Sequence, residues 1–222
     1  MVSMKLTLVI PCYNAEKYLV KTLTSVLREK NDEVEVIAIN DGSKDDTEKI
    51  LELYRDKIQI IHQANAGQAA TLNCGWKMAG GEWLGYLSAD DELKSGFFQT
   101  MLREIGQYPQ IDIFYPDYEL TDENSEVLRA VPTPDFVLAD LVVNMICQPG
   151  PGAIFIQKVF ADLGGWNPEL RQTPDFDFWL RASRKFSFRR VPQVLAQFRV
   201  HEDSQSFQAS NSAKSEEPLR LM

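Results

Sequence analysis

Apolar positions follow two different periods along this chain. Lys5 to Ile10 carries a continuous, β-branched apolar run, the pattern of a strand covered on both faces. Leu19, Leu23, Val26 and Leu27 then recur at helical spacing, with Asn14 as the expected N-cap. A second strand, Val34 to Ile39, stops at Asn40-Asp41-Gly42-Ser43, and Ser43 and Asp46 stand in capping-box register before Ile50, Leu51 and Tyr54. Ile58 to Ile61 predicts a third strand and Ala69 to Ala79 a third helix through Leu72 and Trp76. Trp83 to Leu87 predicts a fourth strand, ending at Ser88-Ala89-Asp90-Asp91. Strand and helix alternating at this interval predict an α/β fold, a doubly wound and mostly parallel central sheet with helices on both faces.

The second half is less regular. Ile111 to Tyr118 reads as a strand, and Thr121 to Asp135 as a polar excursion containing prolines. A helix over Phe136 to Met145 is followed by Pro149-Gly150-Pro151-Gly152 and a short strand near Ala153 to Ile156. Gly164-Gly165-Trp166 predicts a turn, and Pro174 to Lys185 a helix with Thr173 as N-cap. Residues 1–204 are expected to form one domain, with a nucleotide-type half over 1–110 and an acceptor-type half over 111–204. The polar, Ser-rich segment 205–222 is expected to be poorly ordered.

Charge narrows the function. With 23 basic and 32 acidic side chains the formal net charge is −9, which is not the footprint of a nucleic-acid binder. No apolar run approaches the roughly 18 residues that span a bilayer, and the N-terminal M-V-S-M-K-L-T-L-V-I-P reads as a first strand rather than a signal peptide. Cys12, Cys74 and Cys147 are far apart and in no C-x-x-C pair, so a disulfide framework is not expected and a reducing cytoplasm is.

In open parallel sheets ligands bind beyond the carboxyl ends of the strands. Three polar clusters fall there: Pro11-Cys12-Tyr13-Asn14, Asn40-Asp41-Gly42-Ser43 and Ser88-Ala89-Asp90-Asp91. No G-x-G-x-x-G, Walker loop or G-x-S-x-G accompanies them. A diphosphate held without a basic cradle needs a divalent cation, for which Asp90 and Asp91 supply hard oxygen ligands.

V-I-P-C-Y-N-A-E-K-Y-L, N-D-G-S-K-D-D-T, N-A-G-Q-A-A-T-L-N-C-G and Y-L-S-A-D-D, followed by G-G-W-N-P-E-L and P-D-F-D-F-W-L-R-A, resemble family 2 glycosyltransferases of GT-A fold in order and spacing. The resemblance covers about residues 5–204 and implies inverting transfer of a sugar from a nucleotide diphosphate-sugar, a UDP-sugar first, to a saccharide or lipid-linked acceptor. It implies a Mg²⁺ or Mn²⁺ ion and work in the cytoplasm or at the inner face of the membrane. By resemblance, Pro11, Tyr13 and Asn14 line the base and ribose pocket, and Asp41 accepts a hydrogen bond from the nucleobase. Gly67 and Asn73 shape the floor of that site, and Ser88 and Ala89 belong to the same nucleotide set.

Asp90 matches the metal-binding last acid of the family's D-x-D, with Asp91 and His201 as further metal candidates. Ser88 stands where the family has its first acid, and Pro174 replaces the first of a later acid pair. Asp175 takes the place of the general base, with Asp177 as the competing acid. Trp166 and Trp179 are expected near the sugar, Trp166 as the more exposed. Asp175 opens a helix, so the helix dipole is expected to depress its pKa. The two departures leave a second reading open: a catalytically silent sugar-nucleotide-binding domain of the same fold.

Overall fold

A computed structural model describes residues 5–144, 146–202 and 204; the tail over 205–222 lies outside the described residues. In chain order the elements begin β1 (Leu6–Cys12), α1 (Leu19–Glu29), β2 (Val34–Asp41), α2 (Thr47–Glu52), β3 (Gln59–Gln63), α3 (Gln68–Met78) and β4 (Trp83–Tyr86). They continue with β5 (Glu92–Leu93), α4 (Phe97–Gln107), β6 (Ile113–Thr121), β7 (Val127–Val131), α5 (Leu138–Val143), β8 (Ile154–Ile156), α6 (Gln157–Leu163), α7 (Pro174–Ala182) and β9 (Phe188–Arg199).

The described strands form one sheet in the order β3-β2-β1-β4-β8-β6-β9-β5, with β7 added on β6. The β3-β2-β1-β4 portion is wholly parallel. Beyond it the sheet is mixed: β8 runs antiparallel to β4 and β6, while β6 and β9 are parallel. The apolar runs of β1 and β2 are explained by two cores, one on each face. Leu6, Leu8 and Ile10 pack with Leu23, Val26, Phe97 and Met101, whereas Val9, Ile37 and Ile39 pack with Leu72, Trp76, Phe178 and Trp179. None of the helices in the described residues is long and apolar enough to cross a membrane.

Two helix starts differ from expectation. Neither Asn14 nor Ser43 caps a helix: α1 begins after Tyr18 and α2 after Asp46, without a side-chain cap bond in either case. The two side chains instead staple the loops after β1 and β2. Asn14 N–H donates to Ser43 Oγ at 3.0 Å, and Asn14 Oδ1 accepts from the Lys44 N–H at 2.9 Å. Ala15 N–H to Thr47 Oγ1 and Asp46 N–H to Glu16 Oε2 extend the join. Long-range partners outcompeted local caps. The predicted 136–145 helix shortens to α5, and the polar excursion after β6 contains β7, whose side chains are nearly all exposed.

Candidate active site

The ends of β1, β2 and β4 bring all three polar clusters to one edge of the parallel strands, as the order of the sheet requires. Asp41 is 3% exposed, and its carboxylate organises the turn that enters α3. Oδ1 accepts from Gln63 Nε2 at 2.7 Å and the Ala66 N–H at 2.8 Å, while Oδ2 accepts from the Gly67 N–H at 2.9 Å. One lone pair of Oδ2 is left beyond these bonds. Gly42, at φ +70°, is required here: a Cβ would lie 2.7 Å from the Asn65 nitrogen. Tyr13 is half exposed and Pro11 partly buried beside Asn14, and Gly67 faces open space.

Asn73 is committed elsewhere. Its Nδ2 donates to the Trp166 carbonyl at 2.7 Å and its Oδ1 accepts from the Trp166 N–H at 2.9 Å, bolting α3 to the Gly164-Gly165-Trp166 turn. Gly165 sits at φ +84°, where a Cβ would come within 2.2 Å of Asn73 Oδ1. Asn73→Ala strands two buried backbone groups, so a loss of about 2–4 kcal/mol in urea unfolding is expected. Gly165→Ala should destabilise in the same assay through the same contact.

Asp90 and His201 meet across the chain: Oδ2 and Nε2 are 3.0 Å apart. The His201 ring lies 4.8 Å from the Tyr18 ring, and its Nδ1 is buried without a partner among the described residues. Asp91 is 3% exposed, and its Oδ1 accepts from the Arg199 N–H at 2.9 Å. Burial, with the neighbouring Asp90 charge, pushes its carboxyl well above the usual range. Ala89 is buried beneath this turn, and its carbonyl accepts from Thr22 Oγ1 at 2.9 Å.

Beside the turn lies a cavity of about 290 Å³, lined among others by Tyr86, Ser88, Asp91, Tyr118, Arg129 and Asp175. It joins residues from β4, the following turn, β6, β7 and the start of α7. Asp175 therefore faces the same space as Asp91 and Ser88, and Asp177 is not among the lining residues. Asp177 is buried in an ion pair with Arg181, at 2.9 Å to Nε and 2.7 Å to Nη2. Arg181 in turn donates to the carbonyls of Leu163 and Gly165. The pKa expectation for Asp175 is corrected: burial raises it, outweighing the backbone N–H groups at the helix start. Trp166 is likewise not exposed. It is 3% accessible, packed edge-on to Tyr86 and Trp76, and Trp179 is fully buried.

Residues 7–164 match the family described as Glycosyl transferase family 2. The chain belongs to this family. Among family relatives, an uncharacterized glycosyltransferase of Rickettsia felis is 31% identical over 215 residues, covering 92% of this chain and 36% of the relative. Another, of Rickettsia prowazekii, is 29% identical over 222 residues, covering 96% of this chain and 69% of its own. The chain thus spans about a third of the first of these two relatives. The crystal structure of S. aureus TarS 1–349 in complex with UDP-GlcNAc superposes with a TM-score of 0.81 at 22% identity, over 98% of this chain and 65% of that one. At that identity the likeness is one of fold, the GT-A type.

Sequence reasoning gave no site role to Arg129, Tyr118 or Arg199. The first lies in the segment read as a polar excursion. The last is an Arg closing an apolar strand, a pattern that signals a buried cation only once its partners are known.

Proposed function

We propose that this domain is an inverting, divalent-cation-dependent glycosyltransferase that moves a sugar from a nucleotide diphosphate to an acceptor hydroxyl. The observation that carries this reading is the shared cavity: Asp175 and Asp91 open on one space, beside the Asp90–His201 pair. Asp41, with its one remaining lone pair, accepts a hydrogen bond from the nucleobase, and Pro11, Tyr13 and Asn14 flank base and ribose. Asp175 takes the proton of the acceptor hydroxyl. The acceptor oxygen attacks the anomeric carbon from the side opposite the diphosphate, the bond from that carbon to the phosphate oxygen breaks, and the configuration inverts. A raised pKa suits a base that must take a proton near neutral pH.

The donor set was weighed against a cation. Among the described residues no group of three His, Cys, Asp or Glu side chains is arranged to hold a metal. Mg²⁺-type sites commonly use one or two carboxylates with substrate phosphates, and Asp90 supplies one such carboxylate, with His201 Nε2 at 3.0 Å from it. These two residues would hold the ion, and its charge would offset that of the departing diphosphate. Asp91 is directed to the cavity instead.

A UDP-sugar is the proposed donor, supported by UDP-GlcNAc in the TarS complex of like fold. A lipid-linked saccharide acceptor belongs to the same proposal. Val137, Leu138, Val142, Val143 and Ile146 stand exposed on the segment leading to Cys147, which lines the cavity. Such an acceptor would bring the domain to the cytoplasmic face of a membrane. Residues 1–204 are taken as one catalytic unit, supported by the single sheet that runs through both halves.

The test is a thermal-shift panel of UDP, GDP, dTDP and CDP with and without Mn²⁺. Ligand at about a hundredfold above its dissociation constant should stabilise by roughly 2.7 kcal/mol, with UDP plus Mn²⁺ giving the largest shift. Ser88 favours a second reading, a silent sugar-nucleotide-binding domain, because it puts a hydroxyl in the cavity at the family's acid position. That reading expects binding without turnover. The catalytic one expects Ser88→Asp to tighten Mn²⁺ binding in the presence of UDP, read by titration; unchanged or weaker binding would count against it.

A further inference from the structure

Among the described residues Arg199 is the largest fully buried charged side chain, 1% exposed at the end of β9, and a buried guanidinium is tolerated only when its donors are used. They reach two segments of the chain, residues 90–92 and 122–125. Nε donates to the Asp90 carbonyl at 2.8 Å. Nη1 donates to the carbonyls of Asp122 at 3.0 Å and Glu123 at 3.3 Å, and to Ser125 Oγ at 3.0 Å, all in the β6–β7 turn. Nη2 pairs with the Glu92 carboxylate, and the guanidinium carbon stands 4.8 Å from the centre of the Tyr18 ring. The backbone N–H of the same residue holds Asp91 Oδ1.

One residue thus grips both acids of the Ser88–Asp91 turn, the main chain of the first and the carboxylate of the second. The β6–β7 turn that completes its shell is itself anchored to α1 and the loop before it, through Lys21 to Ser125 and Lys17 to Glu123. We propose that Arg199 is a positioning residue, which sets Asp90 toward the donor diphosphate and Asp91 toward the cavity without touching substrate. The inference rests on the donor site proposed above. Only a planar fork of five donors can hold both segments at fixed angles; the compact ammonium of Lys cannot.

The experiment reads the Mn²⁺ dissociation constant of the UDP-saturated protein, from the electron paramagnetic resonance signal of free Mn²⁺, together with Tm. Arg199→Lys is expected to weaken Mn²⁺ binding by about tenfold or more, the scale seen when a group supporting a metal ligand is lost. Arg190→Lys is the control. It breaks a fork of similar geometry on Asp117, at 2.8 and 2.7 Å, and should lower Tm with the Mn²⁺ constant unchanged.

Arg199→Lys that loses Tm but binds Mn²⁺ like the wild type would overturn the proposal, leaving a purely structural residue. If that variant does not fold, Glu92→Gln loosens the far end of the fork with Asp90 intact. A severalfold weaker Mn²⁺ constant supports positioning, and an unchanged one overturns it. Wild-type protein that binds no Mn²⁺ with UDP would overturn the donor-site reading itself, and this proposal with it.

Discussion

Asp175→Asn is expected to lower turnover by about 10²–10⁴-fold while leaving nucleotide binding intact, the range measured when a general base is removed. The amide keeps the size of the side chain and cannot take the acceptor's proton. The pH profile gives an independent reading. Burial holds the Asp175 carboxyl above the ordinary carboxylate range. Turnover should therefore rise with pH through that raised value, and the variant should lack this limb. The stability effect has the opposite sign to the activity effect. Because the folded pKa exceeds the unfolded one, Asp175 costs stability as pH climbs from the ordinary value through the raised one. Asp175→Asn should accordingly show a higher Tm than wild type at neutral pH and an equal Tm in acid, checked by calorimetry across that window.

Asp90→Asn is the second change with a large expected effect. Its carboxylate is the proposed oxygen donor to the cation and pairs with His201, and the amide removes the charge while keeping an oxygen for the imidazole. Turnover at fixed Mn²⁺ should fall by about 10²–10³-fold, the scale for losing one preorganised electrostatic stabiliser of a departing group. UDP without metal should bind as before, so the Mn²⁺-dependent part of the thermal shift disappears and the remainder stays. Loss of both parts would instead place Asp90 in the nucleotide pocket.

The elements that carry the site were the most legible in sequence, for a physical reason. β1, β2 and β4 are buried on both faces, so they appear as unbroken apolar runs, and the polar residues ending them stand out. β7 is exposed along nearly its whole length, leaving no alternation to detect. α4 does carry Phe97, Phe98 and Met101 at helical spacing, yet it starts after a glycine without a side-chain cap, and its apolar face is evident only against β1 and β9. Within the candidate site, Asp41, Asp90 and Asp175 stood out in the sequence because each sits at a strand end or helix start.

Their environments were not legible. The local dipole argued for a depressed Asp175, whereas burial in the folded chain decides the direction. Asn14, Ser43 and Asn73 read as cap or pocket residues from their neighbours in sequence. Their actual partners lie 29, 29 and 93 residues away. Arg199 is the extreme case, with Asp90 and Glu92 more than a hundred positions earlier in the chain.

The central claim is that Asp90 and Asp175 serve one displacement reaction, Asp175 from the cavity and Asp90 from the turn beside it. Release of UDP from UDP-GlcNAc, followed with Mn²⁺ present in wild type, Asp90→Asn and Asp175→Asn, tests it most directly. The account predicts measurable release by the wild type and at least about a hundredfold loss in each variant, with all three proteins folded. Either variant releasing UDP at the wild-type rate would contradict it.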